Sequence, residues 1–327
     1  MRHHQDDLLT LRLAYRERIP LRRSVYTGGD GPRVALVSGV HGDELEGLYL
    51  AHRLSAWLEA AERRRPGTLR GTVEVYPAIN PLGLDTLDRE VPTHRVDLNR
   101  SFPGHPSGLL PQRLAAALVE ALDGAALVVD VHASNVFLRE VPQARLERSH
   151  AESLLPHAVR LNLGLVWLYS APTALRATLS HTLNERGVPT LVVEMGVGMR
   201  VTPTLGEQVL VGLLHAWQAL GVLAAEIELP ALGHVPLVAE DGDIRYLNAE
   251  TSGMFVPEVG VGTWVVPGQV LGYIVSPLRG EPLATVRAPD AGLLFTLREY
   301  PLVYEGSLMA RVFAREAQAA HVTEVSP

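Results

Sequence analysis

Val34-Ala35-Leu36-Val37-Ser38-Gly39-Val40-His41-Gly42-Asp43-Glu44 is the stretch that decides the fold. Its apolar run reads as a strand over Val34–Val40, and the strand ends in two side chains of the kind that bind zinc. Open α/β sheets build their sites at such strand ends. A His and a Glu three residues apart reach one metal if the chain turns into a helix just after the strand, because positions i and i+3 share a helix face. Leu45 to Glu62 reads as that helix. Two later segments repeat the pattern of an apolar strand ending in a polar residue, Leu127-Val128-Val129-Asp130-Val131-His132 and Leu191-Val192-Val193-Glu194. His132 and Glu194 add a third ligand and a carboxylate base. An isolated His-x-x-Glu occurs by chance in many proteins. Packing does not explain why three strand ends all carry such groups, with the polar stretch Asn80 to Arg100 between them.

Composition narrows the chemistry. At 327 residues the chain has room for one large domain and a smaller one, and no apolar run is long enough to span a bilayer. The first twenty residues alternate charge and apolarity without a secretory apolar core, which reads as a cytoplasmic protein. There is no cysteine, so a thiol nucleophile, a disulfide framework and a thiolate zinc site are excluded, and any metal is held by His and carboxylate. There is no lysine either, which excludes Schiff-base chemistry, a P-loop and a lysine-tethered cofactor. A net charge of −7 and the lack of a basic cluster beyond Arg63-Arg64-Arg65 argue against nucleic acid as a partner. That triplet, just before Pro66-Gly67, suits a helix C-terminus. The expected partner is a small molecule, with no membrane, and a homo-oligomer is left open.

From Arg33 to about Gly221, short β-branched runs alternate with longer helical patterns, the mark of a mixed, mainly parallel sheet flanked by helices. Strands are expected at Val34–Val40, Val73–Tyr76, Leu127–Val131, Leu165–Tyr169 and Leu191–Val193, with an edge strand at Ser24–Tyr26. Helices are expected at Leu45–Glu62, Gln112–Leu122, Ala151–Leu161, Leu175–Arg186 and Leu205–Leu220. After about Glu228 short strands with Pro and Gly turns take over, which predicts a catalytic α/β domain over 1–228 and a small all-β domain over 229–327. The tail repeats itself: Val266 to Ile274 echoes Tyr304 to Val312, each with a turn glycine followed by spaced apolar residues. Two related hairpin units packed face to face make a small β-sandwich or barrel-like domain.

In order and type, several motifs resemble the succinylglutamate desuccinylase/aspartoacylase family, a branch of the zinc carboxypeptidase fold. They are His41-Gly42-Asp43-Glu44, Asn80-Pro81-x-Gly83, Arg89-x-x-Pro92, Asp97-Leu98-Asn99-Arg100-Ser101-Phe102-Pro103-Gly104, Asp130-Val131-His132 and Val193-Glu194-Met195-Gly196. The resemblance spans nearly the whole chain, and Pro267 to Gly272 with Ala288 to Gly292 look like the β-domain that follows the catalytic domain in family members. It implies a hydrolase that cleaves the amide bond of a small N-acyl amino acid or a related carboxylate-bearing substrate. His41, Glu44 and His132 would then hold one Zn²⁺ per chain, leaving a fourth position open. Asp130 would orient His132 through its other ring nitrogen, or would simply form a turn at the strand end. Glu194 would act as base, moving a proton from water to the leaving nitrogen; the competing reading is a buried carboxylate paired with an arginine. Arg89 matches the family's oxyanion-stabilising arginine, while Arg95 reads as solvated. Asn99 and Arg100 would grip a substrate carboxylate, since the planar guanidinium fork binds carboxylates at two points.

One departure concerns the pocket. No local pattern marks the further arginine and tyrosine that close the acidic pocket of the best-known family members; Arg176, Arg186 and Tyr169 are the available residues. A rival within the fold is a zinc carboxypeptidase acting on short peptides, which the short loops before Asn99 and the C-terminal β-domain disfavour. The tail also resembles biotinyl and lipoyl carrier domains, yet no lysine exists to carry the prosthetic group. A metal-binding scaffold without catalysis would have no use for Glu194.

Overall fold

The computed structural model describes residues 1–15, 18–170 and 176–315. Two N-terminal strands, β1 (Arg2–Arg12) and β2 (Arg18–Thr27), pair antiparallel. They lead into β3 (Arg33–Ser38), α1 (Glu46–Arg64), β4 (Thr72–Tyr76), the short α2 (Pro81–Thr86) and α3 (Leu110–Leu122). Next come β5 (Leu127–His132), β6 (Leu138–Glu147), α4 (Ala151–Ala158), β7 (Leu165–Tyr169), α5 (Leu179–Glu185), β8 (Thr190–Gly196) and α6 (Pro203–Ala219).

Strands β4, β3, β5 and β8 lie side by side and parallel. Every residue of β5 is buried and only Arg33 of β3 is partly exposed, because helices cover both faces of a parallel centre. On one face, Leu50, Leu54 and Leu58 of α1 join Val209, Leu213 and Trp217 of α6 in a single apolar cluster. On the other, Leu114 and Leu118 of α3 join Leu179 and Leu183 of α5. Arg63 and Arg64 occupy the last turn of α1, where cations complement the exposed carbonyls.

Three details differ from the sequence expectation. Residues 24–26 belong to β2, which is not at the edge, since β1 covers its outer side. Leu175, the expected start of a helix, lies outside the described residues; α5 begins at Leu179, where the Thr178 hydroxyl accepts from the His181 N–H. Strand β6 has no counterpart in the expected elements. It contains Pro142, which cannot donate to a ladder, and its pairing with β8 slips in register between Glu140 and Gln143, across the proline.

Beyond α6, residues 226–236 carry neither helix nor strand, and the tail then forms β9 (Leu237–Glu240), β10 (Ile244–Asn248), β11 (Gly253–Pro257), β12 (Trp264–Val265), β13 (Val270–Val275), β14 (Pro282–Arg287), β15 (Gly292–Arg298), β16 (Leu302–Val303) and β17 (Leu308–Ala314). Four of them, in the order β14-β13-β11-β16, make an antiparallel sheet. The others extend the large sheet: β9 pairs with β7, β15 with β6, β17 with β15, β10 with β17 and β12 with β15. The repeated units are visible in this weave. Each crosses between sheets at a turn glycine with positive φ, Gly268 (79°) between β12 and β13 and Gly306 (82°) between β16 and β17. The two units cross in opposite senses, so Phe255, Leu271, Ile274, Leu294, Met309 and Val312 close one core between the sheets. The architecture is α/β, with a large mixed sheet between helices and a C-terminal antiparallel β-domain woven onto it. No helix among the described residues is long and apolar enough to cross a membrane.

Candidate metal centre and pocket

The turn after β3 is held by close backbone packing. A Cβ on Gly42 would lie 1.9 Å from the Gly83 carbonyl carbon, so only glycine lets the two segments touch. Gly42 N–H donates to the Asp88 carbonyl at 3.0 Å, and Met199 N–H donates to the Asp43 carbonyl at 2.7 Å. Asn80 ties the facing segment together: its carboxamide oxygen accepts from Gly83 N–H at 3.0 Å and its nitrogen donates to the Glu90 carbonyl at 3.1 Å. The Asn80-Pro81-x-Gly83 motif thus builds the scaffold that presents Arg89 to Glu44.

His41, Glu44 and His132 are buried together at the ends of β3 and β5, and their donor atoms lie within 4.8 Å of one another. Glu44 Oε1 is 2.7 Å from His41 Nδ1, and Oε2 is 2.9 Å from His132 Nδ1. Each imidazole is anchored through its other nitrogen. Asp97 Oδ1 is 3.1 Å from His41 Nε2, and Asp130 Oδ2 is 3.1 Å from His132 Nε2. Two imidazoles and a carboxylate, each ring fixed from behind by an acid, are a donor set that fits Zn²⁺. The local field agrees. Burial works against charge on His132, yet Asp130 and Glu44 hold its pKa well above the usual histidine value; His41 is likewise raised, against burial, by Glu44 and Asp97. The three acids that draw protons to both imidazoles also favour a cation between them, and a metal binding there would displace those protons.

Glu194 on β8 stands opposite His132 in the β5–β8 register. Its Oε1 is 3.2 Å from Arg145 Nη1. Burial raises its pKa, opposed by the charges of Arg145 and His132. Glu194 is therefore both a half-buried acid beside an arginine and a wall residue of the cavity that contains His41, Glu44 and His132.

That cavity, of ≈ 610 Å³, also takes in Arg89, Asn99 and Arg100. Arg89 donates to Glu44 Oε1 at 3.1 Å and pairs with Asp97 at 3.6 Å. Asn99 accepts from Leu179 N–H at 3.0 Å, and Arg100, exposed at the cavity mouth, donates to the Asn99 carbonyl at 2.7 Å. Arg95 is solvated, its side chain 79% exposed and paired with Glu90.

Several residues in and behind the cavity wall escaped the sequence reading. Asp97 sits inside the Asp-Leu-Asn-Arg motif, so its position was visible but its service to His41 was not. Arg145 and Arg311 share the fully buried Glu140, at 2.7 Å each, and both stand over the Trp167 ring. They come from β6, hidden by its proline, and from β17 in the tail. Of the three residues considered for closing the pocket, Tyr169 lines it, Arg186 lines a separate cavity beside α3, and Arg176 lies in neither.

Comparison with known proteins gives the family of the chain. The profile of the succinylglutamate desuccinylase/aspartoacylase catalytic domain matches residues 30–220. The N-α-acetyl-L-2,4-diaminobutyric acid deacetylase of Halomonas elongata is 26% identical over 289 residues, 85% of this chain and 80% of that one. The product-bound ectoine utilization protein EutE (DoeB) of Ruegeria pomeroyi matches with TM-score 0.79 and 25% identity over 96% of this chain and 95% of that one. A succinylglutamate desuccinylase from Silicibacter sp. TM1040 shares the fold, with TM-score 0.80 and 24% identity over 95% of this chain and 94% of that one. With its metal-type cluster inside the matched segment, the chain belongs to the succinylglutamate desuccinylase/aspartoacylase family.

Proposed function

We propose that the protein is a zinc-dependent amidohydrolase that removes the acyl group from a small N-acyl amino acid. The observation that carries this reading is the convergence of His41, Glu44, His132 and Glu194 on one cavity of small-molecule size. The relative named as a deacetylase of an N-acetyl diamino acid supports an N-acyl amino acid as the substrate class. Residues 1–228 form the catalytic part in this reading, and 229–327 complete the cavity wall.

His41, Glu44 and His132 would hold one Zn²⁺, which supplies a Lewis acid at the scissile carbonyl. Glu194, its pKa raised by burial against the opposing charges of Arg145 and His132, takes a proton from the attacking water and delivers it to the leaving nitrogen. Arg89 neutralises the oxygen on which charge develops, and Asp97 and Glu44 hold its guanidinium in place. Asn99 and Arg100 bind the substrate carboxylate, while Asp97 and Asp130 fix the tautomers of the two imidazoles.

The test is a panel of N-acetyl, N-succinyl and other N-acyl amino acids, set against short peptides, with released amine as the readout on zinc-loaded protein. Turnover of one or more N-acyl amino acids, abolished by a chelator and restored by zinc, is the expected result. Hydrolysis confined to peptides would replace this reading with the carboxypeptidase one.

A further inference from the structure

A second group of metal-type donors lies outside the residues that line the cavity. Glu147 ends β6, His150 closes the 3-10 turn that follows it, and His181 lies in the first turn of α5. One donor atom from each falls within 4.8 Å of the other two. Glu147 Oε2 is 2.9 Å from His181 Nδ1. Their side chains, with His150, are 18–19% exposed. Glu147-x-x-His150 reverses the His41-x-x-Glu44 spacing and again follows directly on a strand.

Two further features point inward. His150 Nε2 lies 3.1 Å from Glu185 Oε1, yet outside hydrogen-bonding geometry, so this buried nitrogen has no hydrogen-bond partner. Glu185, its side chain 59% exposed, stands four residues after His181 on the same face of α5 and meets the cluster from the solvent side, where its carboxylate can turn in beside His150. We propose that Glu147, His150 and His181, with Glu185 as fourth donor, form a second zinc site of structural kind. Two imidazoles with carboxylates select a first-row transition ion such as Zn²⁺ over Ca²⁺ or Mg²⁺, which prefer all-oxygen shells.

The place of the cluster gives it a task. Ser180 and Thr178, beside His181, line the substrate cavity, and Leu179 N–H holds Asn99. Tyr169, also in the cavity wall, pairs with Glu147 in the β6–β7 register. A metal bridging β6 to α5 would pin this wall without touching substrate. The proposal does not depend on the catalytic reading of the first site.

Metal content decides the matter. Wild-type protein, loaded with Zn²⁺ and freed of loosely bound ion by gel filtration, should retain about two equivalents per chain, falling to about one in His132→Ala and to about one in His150→Ala, with metal kept at the other site in each. In the His132→Ala background Zn²⁺ should still raise Tm, and the added His150→Ala change should remove that rise. His181→Gln serves as a second probe if His150→Ala does not fold. A wild type with one equivalent, lost entirely in His132→Ala, overturns the proposal, as does a second equivalent that survives both His150→Ala and His181→Gln. A chain inactive on every substrate but holding two such equivalents would sink the catalytic reading and leave this one standing.

Discussion

At the scale of single residues, the roles proposed for Glu194 and Arg145 are the easiest to separate. Glu194→Gln keeps the volume of the side chain and removes its proton-accepting ability. It should lower kcat by at least ~10²-fold with zinc content unchanged, as loss of a general base does; an unaltered kcat would move the base elsewhere. Arg145 lowers the pKa of Glu194, against the burial that raises it. In Arg145→Met the carboxyl should therefore lose its proton only at higher pH, and the acid limb of the kcat/KM profile should move upward. A limb that stays in place or moves down would detach it from Glu194. Arg89 and Arg100 divide by kinetics. In the proposed roles, Arg100→Ala should raise KM for a carboxylate substrate, because that contact would already exist in the ground state, and Arg89→Ala should mainly lower kcat, because its partner would gain charge only in the transition state. If both substitutions change KM alone, Arg89 is a binding residue.

Secondary-structure elements show where sequence reading works and where it stops. The parallel centre was legible because β3, β5 and β8 are continuous apolar runs with a polar residue at the end, and the structure brings His41, Glu44, His132 and Glu194 to those ends. The strand β6 was illegible because Pro142 breaks its pattern and two of its polar groups, Glu140 and Gln143, are fully buried. Sequence periodicity reads such residues as solvent-facing, whereas here Glu140 is held inside by Arg145, Arg311 and the Thr296 hydroxyl. Long-range partners of that sort leave no local signal. The junction of β6 with β15 also carries a titratable clasp. Arg139 donates twice to Glu299, at 2.9 Å each, and this hydrogen bonding lowers the Glu299 pKa from its ordinary 4.5. A carboxylate with a depressed folded-state pKa contributes stability above its unfolded value and loses it as pH falls through the folded value. Glu299→Gln should accordingly lower stability at neutral pH, by at most about 1 kcal/mol because the pair is partly solvated, and the gap to wild type should close on acidification below 4.5. Thermal melts across pH would expose an error here if the gap persisted in acid.

On the scale of the whole molecule, the tail reaches into the site as well as the fold. It adds β9 to β7 and β15 to β6, and it brings Asp241 and Arg311 into the cavity wall. A chain ending at Pro230 would leave the edges of β6 and β7 unpaired and uncover Leu165 and Trp167, which now pack against Phe295 and Phe313. Exposed strand edges with apolar faces template association. Aggregation of the shortened chain is thus the expected result, although His41, Glu44, His132 and Glu194 all remain in it. A point change tests whether the tail takes part in substrate selection. Arg311→Ala leaves Glu140 its bonds to Arg145 and Thr296, so the loss of one partner should destabilise the protein by roughly 1–3 kcal/mol without unfolding it. Zinc content should be unchanged, because Arg311 touches none of His41, Glu44 and His132. The loss of a guanidinium from the wall should alter relative kcat/KM across a series of substrates graded in size and charge. A soluble, monomeric chain ending at Pro230 with wild-type selectivity would show that the tail has no share in the site, and an Arg311→Ala protein with unchanged selectivity would confine the tail to holding the sheet together.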